Sequence, residues 1–212
     1  MRISNFALSF VDMLDCQNKK ILVAGATGYL GQYLVKELKR RGAWVRVLIR
    51  REEQIALFNG IDDWYLSEAT DLSALCAALV GIDWVVSSLG ITRQREGFTY
   101  MDVDFGANFN LLQCAIQQNV KGFQYVSAIN GDMHRDLKIF EAKELFVDKL
   151  KASGLNYSII RPNGFFSDMG DFLKMAERGT VFLFGKGDFK LNPIHGEDLA
   201  VFCVDNLLEG KT

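Results

Sequence analysis

Lys20-Ile21-Leu22-Val23-Ala24-Gly25-Ala26-Thr27-Gly28-Tyr29-Leu30-Gly31 joins a short apolar run to a helical pattern through three spaced glycines. The run reads as a strand, and the glycines as the turn into a helix. Gly25 permits a sharp turn, Gly28 lets the backbone approach a diphosphate, and Gly31 lets the helix pack closely on its strand. The helix N-terminus then offers unpaired N–H groups and a partial positive charge to an anion. This arrangement favours a dinucleotide, with Gly25, Thr27, Gly28, Tyr29, Leu30 and Gly31 as its expected contacts.

A glycine triplet alone also occurs in turns that hold no ligand, so the context carries the reading. Tyr33-Leu34-Val35-Lys36-Glu37-Leu38 repeats apolar residues at helical spacing. Arg41-Gly42 is placed to end that helix, and Trp44-Val45-Arg46-Val47-Leu48-Ile49 reads as a second strand, completing a βαβ unit. An acidic residue at the tip of this second strand suits a free ribose 2′-hydroxyl, whereas an arginine accommodates a 2′-phosphate. The chain has Arg50, then Arg51. A guanidinium matches a phosphate in charge and in its fork of donors, so NADP(H) is expected ahead of NAD(H). The competing reading makes both arginines solvated charges, with Glu52 and Glu53 as rivals for them.

Further strand-like and helix-like runs alternate, the pattern of an α/β doubly wound parallel sheet with helices on both faces. Strands are expected at 63–66, 83–87, 123–127 and 157–160, with a further one over Val181-Phe182-Leu183-Phe184. Helices are expected at 72–79, 101–119, 137–152, 166–177 and 197–208. With only Pro162 and Pro193 as prolines and no linker-like tract, residues 19–212 read as one nucleotide-binding domain. Residues 1–18 read as an N-terminal extension, either an amphipathic helix packed on the domain or on a second subunit, or a leader without structure.

The 212 residues suffice for a substantial core. A formal charge of −2 and the lack of a long basic run argue against nucleic acid. No apolar stretch is long enough to span a bilayer. Cys16, Cys76, Cys114 and Cys203 lack metal-ligand spacing, and reduced, mostly buried thiols in a cytoplasmic protein are expected. No metal site is expected from two isolated histidines. The expected partner is a small-molecule substrate, and a homodimer is a further expectation.

Several longer stretches then resemble the extended and atypical branches of the short-chain dehydrogenase/reductase superfamily. They are the glycine turn itself, Asp83-Trp-Val-Val-Ser-Ser-Leu-Gly90, Asp104-Phe-Gly-Ala-Asn-Phe-Asn-Leu-Leu, Val126-Ser127-Ala128, Arg161-Pro162-Asn163-Gly164 and Ile194-His195-Gly196-Glu197-Asp198-Leu199-Ala200. Within the superfamily the chain is similar to the NmrA-like and isoflavone-reductase-like groups, to divinyl chlorophyllide reductases and to single-domain reductases of the biliverdin reductase B type. Phe140-Glu141-Ala142-Lys143-Glu144 and the run from Tyr157 through Phe166 resemble the vinyl reductases most.

The resemblance places Leu89 and Gly90 at the cofactor and aligns Phe140, Lys143 and Ser127 with the family's catalytic tyrosine, lysine and serine. Phe140 has no proton to give, so the usual carbonyl reduction is not expected. Lys143 keeps an expected role at the ribose, against the alternative of one more charge on a solvated helix. Ser127 is either a catalytic serine or a strand-end residue. His195 and His134 are weighed as proton donors near neutral pH, against structural or surface roles. Phe140, Phe165 and Phe166 are expected to wall a flat substrate, and Arg93, Gln94 and Arg95 to meet an acidic one or to form a solvated loop.

The expected function is NADPH-dependent reduction of a flat conjugated small molecule. The competing reading from another class is a non-catalytic NADP(H)-binding redox sensor of NmrA-like type, and a sugar-nucleotide epimerase or dehydratase is a third.

Overall fold

The computed structural model describes residues 16–69, 71–91, 97–182, 186 and 190–209. Six strands form one wholly parallel sheet: β1 (Lys20–Ala24), β2 (Trp44–Ile49), β3 (Asp63–Leu66), β4 (Trp84–Ser87), β5 (Gly122–Val126) and β6 (Asn156–Ile160), in spatial order β3-β2-β1-β4-β5-β6. The doubly wound expectation holds. Strand order reverses between β1 and β4, which opens a crevice at their carboxyl ends.

Alternation along β1 shows why the sheet is covered on both sides. Ile21 and Val23 enter one core with α1 (Tyr29–Arg40) and α6 (Gly196–Glu209), through Leu30, Leu34, Leu38, Leu199, Cys203 and Leu207. Leu22 and Ala24 enter the other with α2 (Leu72–Ala78), α3 (Asn108–Gln117) and α4 (Lys138–Lys151), through Leu75, Leu111, Leu112, Phe146 and Val147. A strand buried on both faces is apolar throughout, as β1 is after Lys20.

Gly42 takes a φ of +81° and ends α1 as its sequence position implies. A π-helical turn, Met101–Ala107, leads into α3. A short helix, α5 (Met169–Glu177), follows a 3-10 turn at Phe166–Asp168. The expected strand over residues 181–184 is corrected in part: Val181 and Phe182 are in no strand, while Leu183 and Phe184 lie outside the described residues. Beyond β6 one isolated parallel bridge joins Phe165 to Ile194.

The expectation of four reduced thiols is also corrected. Cys76 of α2 and Cys114 of α3 form a disulfide, with Cα atoms 4.7 Å apart, because the two helices lie side by side on one face of the sheet. Cys16 and Cys203 are buried and take no part in a disulfide. Burial pushes the Cys203 thiol up to about 12. Cys16 already belongs to the core and donates its backbone N–H to Arg41 O at 2.9 Å. Residues 1–15, and with them the expected amphipathic segment, lie outside the described residues.

Candidate functional site

The register of β1 and β4 sets Ala24 opposite Ser87, so the glycine turn and the loop after β4 leave the sheet at the same level. They touch. Gly25 has φ +76°, and a β-carbon on it would stand 2.8 Å from the Ser88 carbonyl carbon and 2.9 Å from the Leu89 nitrogen. Ser88 fastens the contact, its backbone N–H donating to Ala24 O at 3.0 Å. Gly31 is tighter still: a β-carbon there would lie 2.1 Å from Gly25 O. Both glycines therefore act by close backbone approach.

This junction forms the inner wall of a cleft of about 350 Å³. Among the expected cofactor residues, Gly25, Thr27, Gly28, Arg50, Leu89 and Gly90 line it together. Gly28 caps α1 without a side-chain hydrogen bond, and the first turn of the helix carries no acidic residue. The leading N–H groups of α1 have no carbonyl one turn earlier to bond. An anion is what that end accepts.

Arg50 stands exposed at the tip of β2, and no carboxylate among the described residues pairs with its guanidinium. Gln54 instead accepts the backbone N–H groups of Arg50 and Arg51, at 3.0 and 3.1 Å. Ser67, Glu68 and Ala69 beyond β3, with Phe98, Val103 and Ala107 before α3, complete the lining. These were not legible one by one, because they gather only when β3 and the π-helical turn flank the crevice. Arg93, Gln94 and Arg95 lie outside the described residues.

Two of the expected contacts point elsewhere with their side chains, and a third, a glycine, serves packing. Leu30 is core and Gly31 is packing. Tyr29 turns its ring toward α6: its hydroxyl accepts the Gly196 N–H at 3.2 Å, and its ring meets Tyr33 and Phe165 edge-on, centroids 5.3 Å apart in both pairs.

The loop after β4 is held from behind. Asn108 accepts a hydrogen bond from Ser87 Oγ at 2.5 Å and donates to Leu89 O at 3.3 Å and Asp104 O at 3.0 Å. Lys143 lies behind Gly90 and forms an ion pair with Asp104, Nζ to Oδ1 2.7 Å, with side-chain exposures of 12% and 0%. Burial alone would lower the Lys143 pKa, but Tyr125 and Asp104 outweigh it and raise it. Burial pushes the Tyr125 hydroxyl up to about 12.

Ser127 is engaged by its own network. Its hydroxyl donates to Glu144 Oε1 at 3.1 Å. Glu144 is buried and receives both arms of Arg161, at 2.5 and 2.7 Å. Gly131 leaves the room, since a β-carbon there would lie 2.8 Å from Glu144 Oε1. Phe140 is half-buried with its ring 6.4 Å from that of His134. Phe165 packs against the α1 core, whereas Phe166 is 54% exposed. His195 sits against Tyr33, centroids 5.3 Å apart, and its Nδ1 accepts the Glu197 N–H at 3.3 Å at the start of α6. Asp104, Glu144 and Tyr125 were missed as site residues, since a buried charge pair leaves no periodic mark in the chain.

Among the described residues, no group of three or more His, Cys, Asp or Glu is arranged to hold a metal ion, and no helix is long and apolar enough to cross a membrane. The cleft suits a dinucleotide on its own geometry: a backbone cradle cleared by missing β-carbons, an uncapped helix end and a cation at the second strand tip.

Comparison with known proteins agrees with that geometry. The chain is 32% identical over 211 residues to the divinyl chlorophyllide a 8-vinyl-reductase, chloroplastic, of Zea mays, an alignment covering 91% of this chain and 52% of that protein. It thus spans about half the length of that curated relative. Its fold matches a putative NAD-dependent epimerase/dehydratase from Bacillus halodurans, at 23% identity and a TM-score of 0.73, covering 92% of this chain and 90% of the other. It also matches the NADPH-dependent quinone oxidoreductase of Escherichia coli complexed with NADPH, at 23% identity and a TM-score of 0.72, covering 91% and 65% of the two chains. A family model described as NAD(P)H-binding matches residues 25–209, and the chain belongs to that NAD(P)H-binding family.

Proposed function

We propose that the protein is an NADPH-dependent reductase of a flat, conjugated small molecule. The observation that carries this is a cleft at the glycine turn, with Arg50 unpaired by any described carboxylate at its rim, in a chain with Phe140 where the resemblance aligns the family's proton-donating tyrosine. The names of the maize vinyl reductase and the bacterial quinone oxidoreductase support the same class of chemistry.

When bound, a reduced nicotinamide supplies a hydride. The chain's residues then have separable tasks. The α1 N-terminus holds the diphosphate and Arg50 the 2′-phosphate, through charge-assisted hydrogen bonds. Lys143, anchored by Asp104, supports the cleft wall from behind Gly90. Phe140, half-buried, and Phe166, exposed, offer apolar surface to a planar ring system. Because residue 140 carries no hydroxyl, the proton that completes reduction of a double bond comes from water. The protein contributes chiefly alignment and exclusion of solvent.

The test is NADPH consumption, followed by absorbance, with a panel of quinones, flavins, conjugated enones and vinyl-bearing tetrapyrroles. Turnover with at least one planar class is expected, with little for simple aliphatic ketones. Tight NADPH binding with no turnover across the whole panel would overturn the reading in favour of a non-catalytic cofactor sensor.

A further inference from the structure

Asp104 is wholly buried and lies outside the cleft lining, yet it holds both Ile91, which lines the cleft, and Lys143, which packs behind Gly90 of that lining. Its Oδ1 lies 2.7 Å from Lys143 Nζ, and its Oδ2 accepts the backbone N–H of Ile91 at 3.1 Å. One carboxylate thus connects α4 to the loop that carries Leu89 and Gly90. Gly90 is what allows the approach, since a β-carbon on it would stand 2.7 Å from Asp104 Oδ1 and 3.0 Å from Lys143 Nζ. On the far side, Nζ stands 5.7 Å from the centre of the Tyr125 ring, whose buried hydroxyl makes no regular hydrogen bond.

We propose that Asp104 is a positioning residue for the cofactor site: it keeps Lys143 protonated and directed at the back of Gly90 while fixing the Leu89–Ile91 wall. This deepens the reading above and rests on its NADP(H) site. Among the described residues, few charged or titratable groups surround Lys143. Asp104 faces it from the π-helical turn and Tyr125 from β5, while the next residue of α4, Glu144, is committed to Arg161 and Ser127. Without the carboxylate charge, a buried ammonium would face, among the described residues, a neutral phenol alone. Desolvation would then favour the neutral amine.

Asp104→Asn keeps the shape and an acceptor for Ile91 but removes the charge. In the wild type the Lys143 pKa is raised, so its contribution to stability is complete below the unfolded lysine value and declines only above it. In Asp104→Asn the folded value drops below the unfolded one, so stability rises with pH between the two. The unfolding midpoint of the cofactor-free protein is therefore expected to climb in the variant from about pH 7 to about pH 10, where the wild type shows no climb. Over the same range NADPH affinity, measured by calorimetry, is expected to weaken about tenfold in the variant and stay level in the wild type.

Asp104→Asn combined with Lys143→Met, which buries no unpaired charge, is expected to lose both pH trends. If Asp104→Asn does not fold, Lys143→Met gives the mirror test. The stranded Asp104 then has a raised pKa, and the unfolding midpoint falls as pH rises through it. An Asp104→Asn variant with wild-type profiles, or a flat Lys143→Met profile, overturns the positioning role. A wild type that binds no NADPH at any pH overturns the cofactor site instead, while the unfolding profiles still judge the ion pair.

Discussion

The backbone N–H of Gly196 donates to the hydroxyl of Tyr29 at 3.2 Å, joining the first turn of α6 to the first turn of α1 across 167 positions of sequence. Tyr29 and Tyr33 fill the space above Gly196, where a β-carbon would come within 2.9 and 2.6 Å of their rings. Tyr29→Phe leaves the rings in place and strands one buried N–H. A loss of about 1–2 kcal/mol is expected, read from chemical unfolding, with NADPH affinity nearly unchanged because the Tyr29 side chain meets Tyr33, Phe165 and Gly196 rather than the cleft.

Gly31→Ala sets two effects against each other. Alanine in a helix gains about 1 kcal/mol over glycine. The new β-carbon, however, would lie 2.1 Å from Gly25 O and 2.7 Å from the Ala26 Cα, both backbone atoms that cannot swing aside. The clash wins: a net loss of about 2 kcal/mol is expected, together with loss of NADPH binding as the turn is pushed out of shape.

Arg50→Ala tests selectivity separately from folding. The guanidinium is exposed and pairs with no described carboxylate, so the unfolding midpoint should not move. NADPH affinity is expected to fall about 10- to 100-fold and NADH affinity by less than about twofold, measured side by side by calorimetry. Equal losses for the two nucleotides would show that Arg50 does not read the 2′-phosphate.

Glu144→Gln leaves Arg161 without its counter-charge while keeping an acceptor for Ser127. Glu144 is buried and Arg161 largely so, with both arms engaged at 2.5 and 2.7 Å. A loss on the order of 3 kcal/mol is expected from urea unfolding, the cost of stranding one charge of a buried pair.

Acid should weaken the end of α1. The side-chain hydrogen bond from Arg40 chiefly holds the Glu37 carboxyl below the usual glutamate value, with Arg41 assisting and burial opposing. Because the folded value is the lower one, the stabilisation is complete above the unfolded value of about 4.3 and is lost as pH falls through the folded value. The unfolding midpoint is expected to drop more steeply below about pH 4.5 in the wild type than in Glu37→Gln.

The glycine turn, the βαβ unit and the order of strands and helices were legible in the chain because each rests on local chemistry. Gly25, Gly28 and Gly31 have fixed spacing, and the alternation of apolar runs has a fixed period. The same chain order indicated that Arg50 stands at a strand end, the family resemblance pointed to Leu89 and Gly90, and all three line the cleft. Tertiary structure alone decided the rest. Asp104 meets Lys143, Glu144 meets Arg161, and Tyr29 reaches Gly196 only after helices from distant parts of the chain settle on one sheet. Cys76 meets Cys114 for the same reason. Local residue pattern encodes period and turn, whereas the pairing of buried polar groups depends on which faces the fold brings together, and that information is carried by packing.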